Sequence, residues 1–277
     1  MKKGINMGAV PGNLSIDEAF GMIARAGFDG VELNMADQPR ADGKIGLHAE
    51  SSGAELLAIK ETAERYGLEI ISLVTGLLWR YPLTSHDKNI CEAGKGAVRK
   101  LIDNAAFFGS DTVLVVPGQV NENVHYEDAY YNAQAALKEL AAYAEEKKVC
   151  IGVENVWNKF LLSPLEMRGF VDGIGSEYVG VYFDIGNVLV SGYPEQWIKI
   201  LGGRIKKYHA KGFKTSVGNI TGFTTLLEGD INWKRVVDEI RRTAYTGFVT
   251  AELGAYKFGA YNLLRETAEA FEAIFGL

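Results

Sequence analysis

Short apolar runs alternate with longer amphipathic stretches from one end of the chain to the other. The runs at 4–7, 30–33, 69–73, 112–116, 149–153, 179–183, 205–208 and 248–251 are brief and rich in β-branched residues, as buried strands are. Between them, 15–26, 52–66, 90–108, 126–147, 164–171, 194–201, 233–243 and 261–275 have helical character. In the first of these, Ile16, Phe20, Ile23 and Ala24 share one face, and Ser15 with Glu18 three residues on spells a capping box. Pro164 and Pro194 suit first-turn helix positions. Gly27, Gly67, Gly109 and Gly247 stand where left-handed helix terminators are expected.

Eight strands and eight helices at a repeat of roughly 35 residues predict an α/β fold, the (β/α)8 TIM barrel, as a single domain over residues 1–277. A doubly wound sheet would want a glycine-rich phosphate loop after its first strand. Met7-Gly8-Ala9-Val10-Pro11-Gly12 lacks that pattern, and Pro11 interrupts a helix start. The apolar content of 47% can fill a large core, and the net charge of −6 argues against nucleic acid as a partner. Apolar runs such as 113–116 are far too short to span a membrane, and Met-Lys-Lys-Gly-Ile-Asn has no signal-peptide core. The two cysteines, Cys91 and Cys150, form no metal or redox pattern; Cys150 reads as a small buried hydrophobe. A soluble, reduced, cytoplasmic protein is expected.

Four of the later runs end on Glu154, Asp184, His209 and Glu252. Singly, such a residue is often a helix cap, a loop-anchoring acceptor or a core imidazole. Jointly, they stand at the carboxyl ends of strands five to eight, the end at which barrels build active sites. Converging carboxylates repel unless they share a cation or a proton. Three carboxylates with one imidazole suit a hard or borderline ion such as Mn²⁺, Mg²⁺ or Co²⁺, whereas structural zinc would want thiolates. Glu32, ending the second strand, fits a hydrogen-bonding role beside them.

The flanking residues extend the pattern. Asn187 of Asp-Ile-Gly-Asn stands to contact a substrate hydroxyl, to order the next loop or to cap a helix. Lys211 shares the side of His209 along an extended chain and would neutralise an oxyanion or a phosphate, or remain a solvated loop lysine. Asn155, Trp157, Asn158 and Lys159 make a polar and aromatic loop of the kind that lines carbohydrate pockets. After the third strand, Trp79 would cover an apolar ligand face and Arg80 would meet a phosphate; the other reading is a loop that packs down. His48, His86 and His125 lie in loop-like segments, as surface or packing residues.

Together these residues resemble the sugar phosphate isomerase/epimerase superfamily, the xylose isomerase-like barrels. Gly27-Phe28-Asp29-Gly30-Val31-Glu32-Leu33 resembles its second-strand entry, and Leu227-Glu228-Gly229-Asp230-Ile231-Asn232-Trp233 is similar to its loop after strand seven. Glu154, Asp184 with Ile185-Gly186-Asn187, His209 with Lys211, and Glu252 match its metal shell in order. Arg80-Tyr81-Pro82-Leu83 and the Asp184 motif resemble its ketose 3-epimerase branch, the relatives of L-ribulose-5-phosphate 3-epimerase and D-tagatose 3-epimerase.

The resemblance implies an isomerase with one divalent ion (Mn²⁺, with Mg²⁺, Co²⁺ and Zn²⁺ as alternatives) held by Glu154, Asp184, His209 and Glu252. It implies a small-molecule ketose or ketose phosphate bound with Trp79, Arg80, Asn187 and Lys211, and proton transfer through an enediolate by Glu154 and Glu252. An aldose–ketose isomerase, of the hydroxypyruvate or hexulose phosphate type, would use the same parts. The superfamily's multi-metal endonucleases carry several more histidines than the four here, and a non-catalytic sugar sensor is a further alternative. Homo-oligomerisation is left open. Gly212 stands where many relatives carry Asp after His-x-Lys.

Overall fold

The computed structural model describes all 277 residues. Eight parallel strands close into a barrel: β1 Lys2–Asn6, β2 Gly30–Met35, β3 Glu69–Thr75, β4 Thr112–Val115, β5 Cys150–Glu154, β6 Val179–Asp184, β7 Ile205–Ala210 and β8 Phe248–Ala251. Each pairs with the next, and β8 pairs with β1, Lys2 beside Phe248 and Ile5 beside Ala251. The outer helices are α1 Ile16–Ala26, α2 Gly53–Arg65, α3 Lys88–Phe108, α4 Tyr126–Lys147, α5 Pro164–Ile174, α6 Pro194–Leu201, α7 Trp233–Arg242 and α8 Ala260–Phe275. The expected TIM barrel is what the chain forms.

Local chemistry sets the helix ends. Ser15 and Glu18 close the expected capping box on α1, and Pro164 and Pro194 open α5 and α6. Gly27, Gly67 and Gly109 adopt φ of 91°, 66° and 81°. Gly247 does not serve this way: α7 stops at Arg242, and the left-handed turn falls on Ala244 at φ 57° before Gly247 is reached. Cys150, expected to be buried, is half-buried at the start of β5.

Strand alternation divides the core. Outward residues such as Val31, Leu33, Leu73, Val113, Ile151, Val153, Val181 and Phe183 join the inner helix faces in one continuous cluster of 67 buried residues. The inward residues are mostly polar or small. Glu32 on β2 touches Tyr182 on β6 and His209 on β7, contacts that must cross the lumen because these strands are not neighbours. Gly152 faces that lumen; a Cβ there would lie 2.9 Å from the Cβ of Tyr182.

Two short elements were not expected from the sequence. A helical turn, Leu77–Arg80, follows β3. A two-stranded antiparallel ribbon pairs Gly212–Phe213 with Phe223–Thr224 directly after β7. The ribbon explains the glycine at 212. A Cβ on Gly212 would stand 2.1 Å from the carbonyl oxygen of Thr225 and 2.4 Å from Thr224 Oγ1. An Asp there would have to push the ribbon away from the barrel mouth. Gly212→Asp should therefore destabilise the chain by about 1–3 kcal/mol, the usual range for overpacking. Calorimetric melting checks this, and an unchanged melting temperature would show that the ribbon yields without strain.

Candidate active site and metal centre

The four strand-end residues converge. Glu154 ends β5, Asp184 ends β6, His209 lies next to the end of β7, and Glu252 follows β8. Asp184 and His209 are register partners, so they stand at one height on adjacent strands. One ligand atom from each of the four lies within 4.8 Å of all the others. Donor atoms so spaced can share one coordination sphere of about 2.0–2.6 Å radius, the reach of hard divalent cations to oxygen.

The surroundings leave these atoms aimed at a common centre. Asn155 holds the Asp184 backbone from both sides: its Oδ1 accepts from Asp184 N and its Nδ2 donates to Asp184 O, each at 2.8 Å. Asn187 N donates to Asp184 Oδ1 at 2.7 Å. Asp184 Oδ2 is buried with no well-directed hydrogen bond, although Lys211 Nζ lies 2.8 Å away. This oxygen is held by an ammonium alone and by no directed hydrogen bond, so it is available to a metal ion in the ammonium's place. His209 Nδ1 lies 3.0 Å from Glu154 Oε1, 3.8 Å from Glu252 Oε2 and 4.0 Å from Asp184 Oδ2. The donor set and its spacing thus fit a divalent metal ion.

Without that ion, the chain offsets part of this charge with its own side chains. Lys211 Nζ donates to Glu252 Oε2 and forms an ion pair with Asp184, and its aliphatic stem runs through space left by Gly186, whose Cβ would meet Lys211 Cγ at 2.6 Å. Burial would lower the Lys211 ammonium's pKa, but the Asp184 and Glu252 charges outweigh it and hold the group above its ordinary value. Burial likewise opposes charge on His209, yet Glu32 and Glu252 hold the imidazole well above its usual value. The two glutamates move apart. Burial, reinforced by Glu252 and Asp184, pushes Glu154 up to about 7. Burial also acts on Glu252, but His209 and Lys211 overcome it and keep that carboxyl below its usual value.

A cavity of about 740 Å³ opens over this centre. Glu154, Glu252, Asn187, Lys211 and Trp79 line it; Asp184 and His209, fully buried, lie beneath. Trp157 forms part of one wall, donating Nε1–H to Asn187 O at 2.8 Å and packing on Phe213 and Phe223. Asn187 orders this loop: its Nδ2 donates to Asn155 O at 2.9 Å. Ile220 and Phe223, from the ribbon segment, complete the rim.

Arg80 does not reach the cavity. Successive residues of the Leu77–Arg80 turn point about 100° apart, so Trp79 faces the cavity while Arg80 lies over the Tyr81 ring and pairs with Asp37 at 3.5 Å. None of the remaining histidines joins the site: His48 and His86 approach Glu55 and Asp128, each at 3.5 Å, and His125 precedes α4. Sequence reasoning missed Asn6, Ser72 and Tyr182, which surround Glu32 beneath the centre. Their signal was a polar residue at an inward position of a strand. Ile220 and Phe223 were also missed, because nothing local announces the ribbon that carries them.

Comparison with known proteins places this architecture. A curated relative from Haemophilus influenzae, named "Putative L-ribulose-5-phosphate 3-epimerase SgbU", is 23% identical over 187 residues, 68% of this chain and 64% of its own. The chain therefore spans somewhat under two thirds of that relative's length. Among solved structures, a D-tagatose 3-epimerase-like protein superposes with a TM-score of 0.81 at 21% identity, over 100% of this chain and 98% of its own. A D-psicose 3-epimerase crystallised with D-fructose gives 0.78 at 19% identity, with full coverage of both chains. Residues 20–274 match the model of the xylose isomerase-like TIM barrel family, and the chain belongs to that family.

Proposed function

We propose that this protein is a divalent-metal-dependent ketose 3-epimerase that takes unphosphorylated sugars. One observation carries the reading. Of the four converging residues, only Glu154 and Glu252 face the open cavity, while Asp184 and His209 are sealed below. The four come from consecutive strands, so the two glutamates stand at opposite ends of the ligand arc. A ketose lying across the mouth would meet one carboxyl group from each side.

A divalent ion bound here would supply Lewis-acid stabilisation of the negative charge that develops on the sugar when its C–H bond breaks. Glu154, Asp184, His209 and Glu252 would hold it. Glu252, kept ionised by His209 and Lys211, takes the proton from carbon 3 as that C–H bond breaks and negative charge moves onto the carbonyl oxygen. Glu154, which faces the cavity from the other side, delivers a proton taken up from water to the opposite face of carbon 3 and inverts the centre. In the reverse direction the two exchange roles. Trp79, Trp157, Ile220 and Phe223 supply apolar surface for the sugar's C–H face, and Asn187 supplies a polar contact.

The cationic side chains favour an unphosphorylated sugar. Lys211 is the one basic residue lining the cavity, and its ammonium is already shared by two carboxylates. Arg80, expected to meet a phosphate, points elsewhere. A phosphate dianion would need a cation that this rim does not offer. The relative from Haemophilus influenzae supports the phosphorylated alternative by name, so both sugar classes belong in the test.

Incubation of D-tagatose, D-psicose, D-fructose, L-ribulose and L-ribulose 5-phosphate in D₂O with Mn²⁺, followed by NMR, should show deuterium at carbon 3 and the matching epimer for a free ketose. Chelation should abolish the exchange. Turnover of the phosphate ester alone would overturn the substrate class, and exchange at carbon 1 would point to an aldose–ketose isomerase.

Glu154→Gln and Glu252→Gln each keep an oxygen ligand and remove an acid/base. Each should lose on the order of 10²–10⁴-fold in kcat, with a smaller loss of bound metal by elemental analysis. Near-normal turnover by either variant would rule out the two-glutamate mechanism.

Ion binding must also displace the protons held by Glu154 and His209. Because Glu154 is raised to about 7, it is protonated below that pH and ionised above it. Metal affinity should therefore rise with pH through this window, with proton release. Calorimetric titration in two buffers of different ionisation enthalpy tests this; equal heats would show that no proton leaves.

A further inference from the structure

We infer that Glu32 is a positioning residue: through His209 Nε2 it fixes the imidazole so that Nδ1 carries the lone pair facing the metal centre. The inference rests on the proposed metal site and adds to it a residue that no ligand atom would touch.

Both Glu32 oxygens are fully used. Oε1 accepts from His209 Nε2 at 2.8 Å and from Asn6 Nδ2 at 2.7 Å; Oε2 accepts from Ser72 Oγ at 2.7 Å and from the Tyr182 hydroxyl at 2.8 Å. A carboxylate has about four lone-pair sites, and here each has a donor. Glu32 and His209 are both at 0% exposure. Four hydrogen bonds directed at its two oxygens stabilise the charged form and leave no site for a proton, so the carboxyl is held as an anion. Protonating it would require one of four donors to turn away.

This anion settles three things about His209. Nε2 keeps its hydrogen, because losing it would set a nitrogen lone pair against a buried carboxylate. The proton that leaves when an ion binds must then come from Nδ1, the nitrogen 3.0 Å from Glu154 and within 4.0 Å of Asp184 and Glu252. The ring plane is held too, by the hydrogen bond on one edge and by the Tyr182 ring, whose centroid lies 4.5 Å from that of the imidazole. Finally, a negative partner behind the ring makes Nδ1 a stronger donor to a cation. Asn6, Ser72 and Tyr182 act one step further back, by keeping Glu32 charged and in place.

Glu32→Gln tests this directly, with no sugar present. It preserves shape but removes the charge and turns one accepting oxygen into a donor. The dissociation constant for Mn²⁺ or Co²⁺, measured by competition with a chelator, should rise by about 10–100-fold, the usual weight of such a partner. The visible spectrum of the cobalt-loaded protein should change. Tyr182→Phe and Ser72→Ala each remove one donor to Glu32; they should weaken binding less, in the same direction, and they carry the test if Glu32→Gln fails to fold. Metal affinity and spectrum unchanged in all soluble variants would overturn the inference while leaving the epimerase reading intact. A wild-type chain that binds no divalent ion would overturn both.

Discussion

The mouth of this barrel is organised around an excess of buried negative charge. Glu32, Glu154, Asp184 and Glu252 meet around one imidazole and one ammonium, in a lumen that is otherwise apolar or closed by hydrogen bonds. Charges removed from water are costly unless paired, so nearly every local feature answers that need. Asn155 and Asn187 tie down Asp184, Tyr182 and Ser72 saturate Glu32, and Lys211 bridges Asp184 to Glu252. The barrel supplies the rigidity. Its apolar shell lies outside the strands and keeps its shape whatever polar cargo the inward positions carry.

The same alternation that makes a strand makes the site. On β6, Val181 and Phe183 face the helices while Tyr182 and Asp184 face the lumen; on β7, Tyr208 and Ala210 point out while His209 points in. That is why the four converging residues could be read from the chain. Each ends a run whose period fixes its direction, and the fold fixes which end of the run is the mouth. Glu32 was legible on the same ground. Arg80 was not, because its direction depends on a single helical turn that no periodicity announced. The ribbon was hidden for a related reason. Its strands are two residues each, too short to leave a pattern, and its only trace was a glycine whose necessity is visible once Thr225 lies against it.

Burial sorts the site into layers with different freedoms. Glu32 and His209 lie deepest, with every hydrogen-bonding position assigned. Asp184 sits with one oxygen assigned and one facing inward. Glu154 and Glu252 reach the cavity, and their acidities diverge because only Glu252 has the Lys211 ammonium against it. Two like side chains thus acquire unlike protonation states from their neighbours, the arrangement from which acid and base roles are assigned.

The Lys211 bridge also bears on the order of events in the life of the chain. A cluster of unpartnered carboxylates would resist closure until an ion arrived, making folding wait on metal supply. With an ammonium of its own in the middle, the barrel can close first. An arriving divalent ion would then exchange for that ammonium within a finished scaffold, at a pace limited by how readily a tethered amine lets go of two carboxylates.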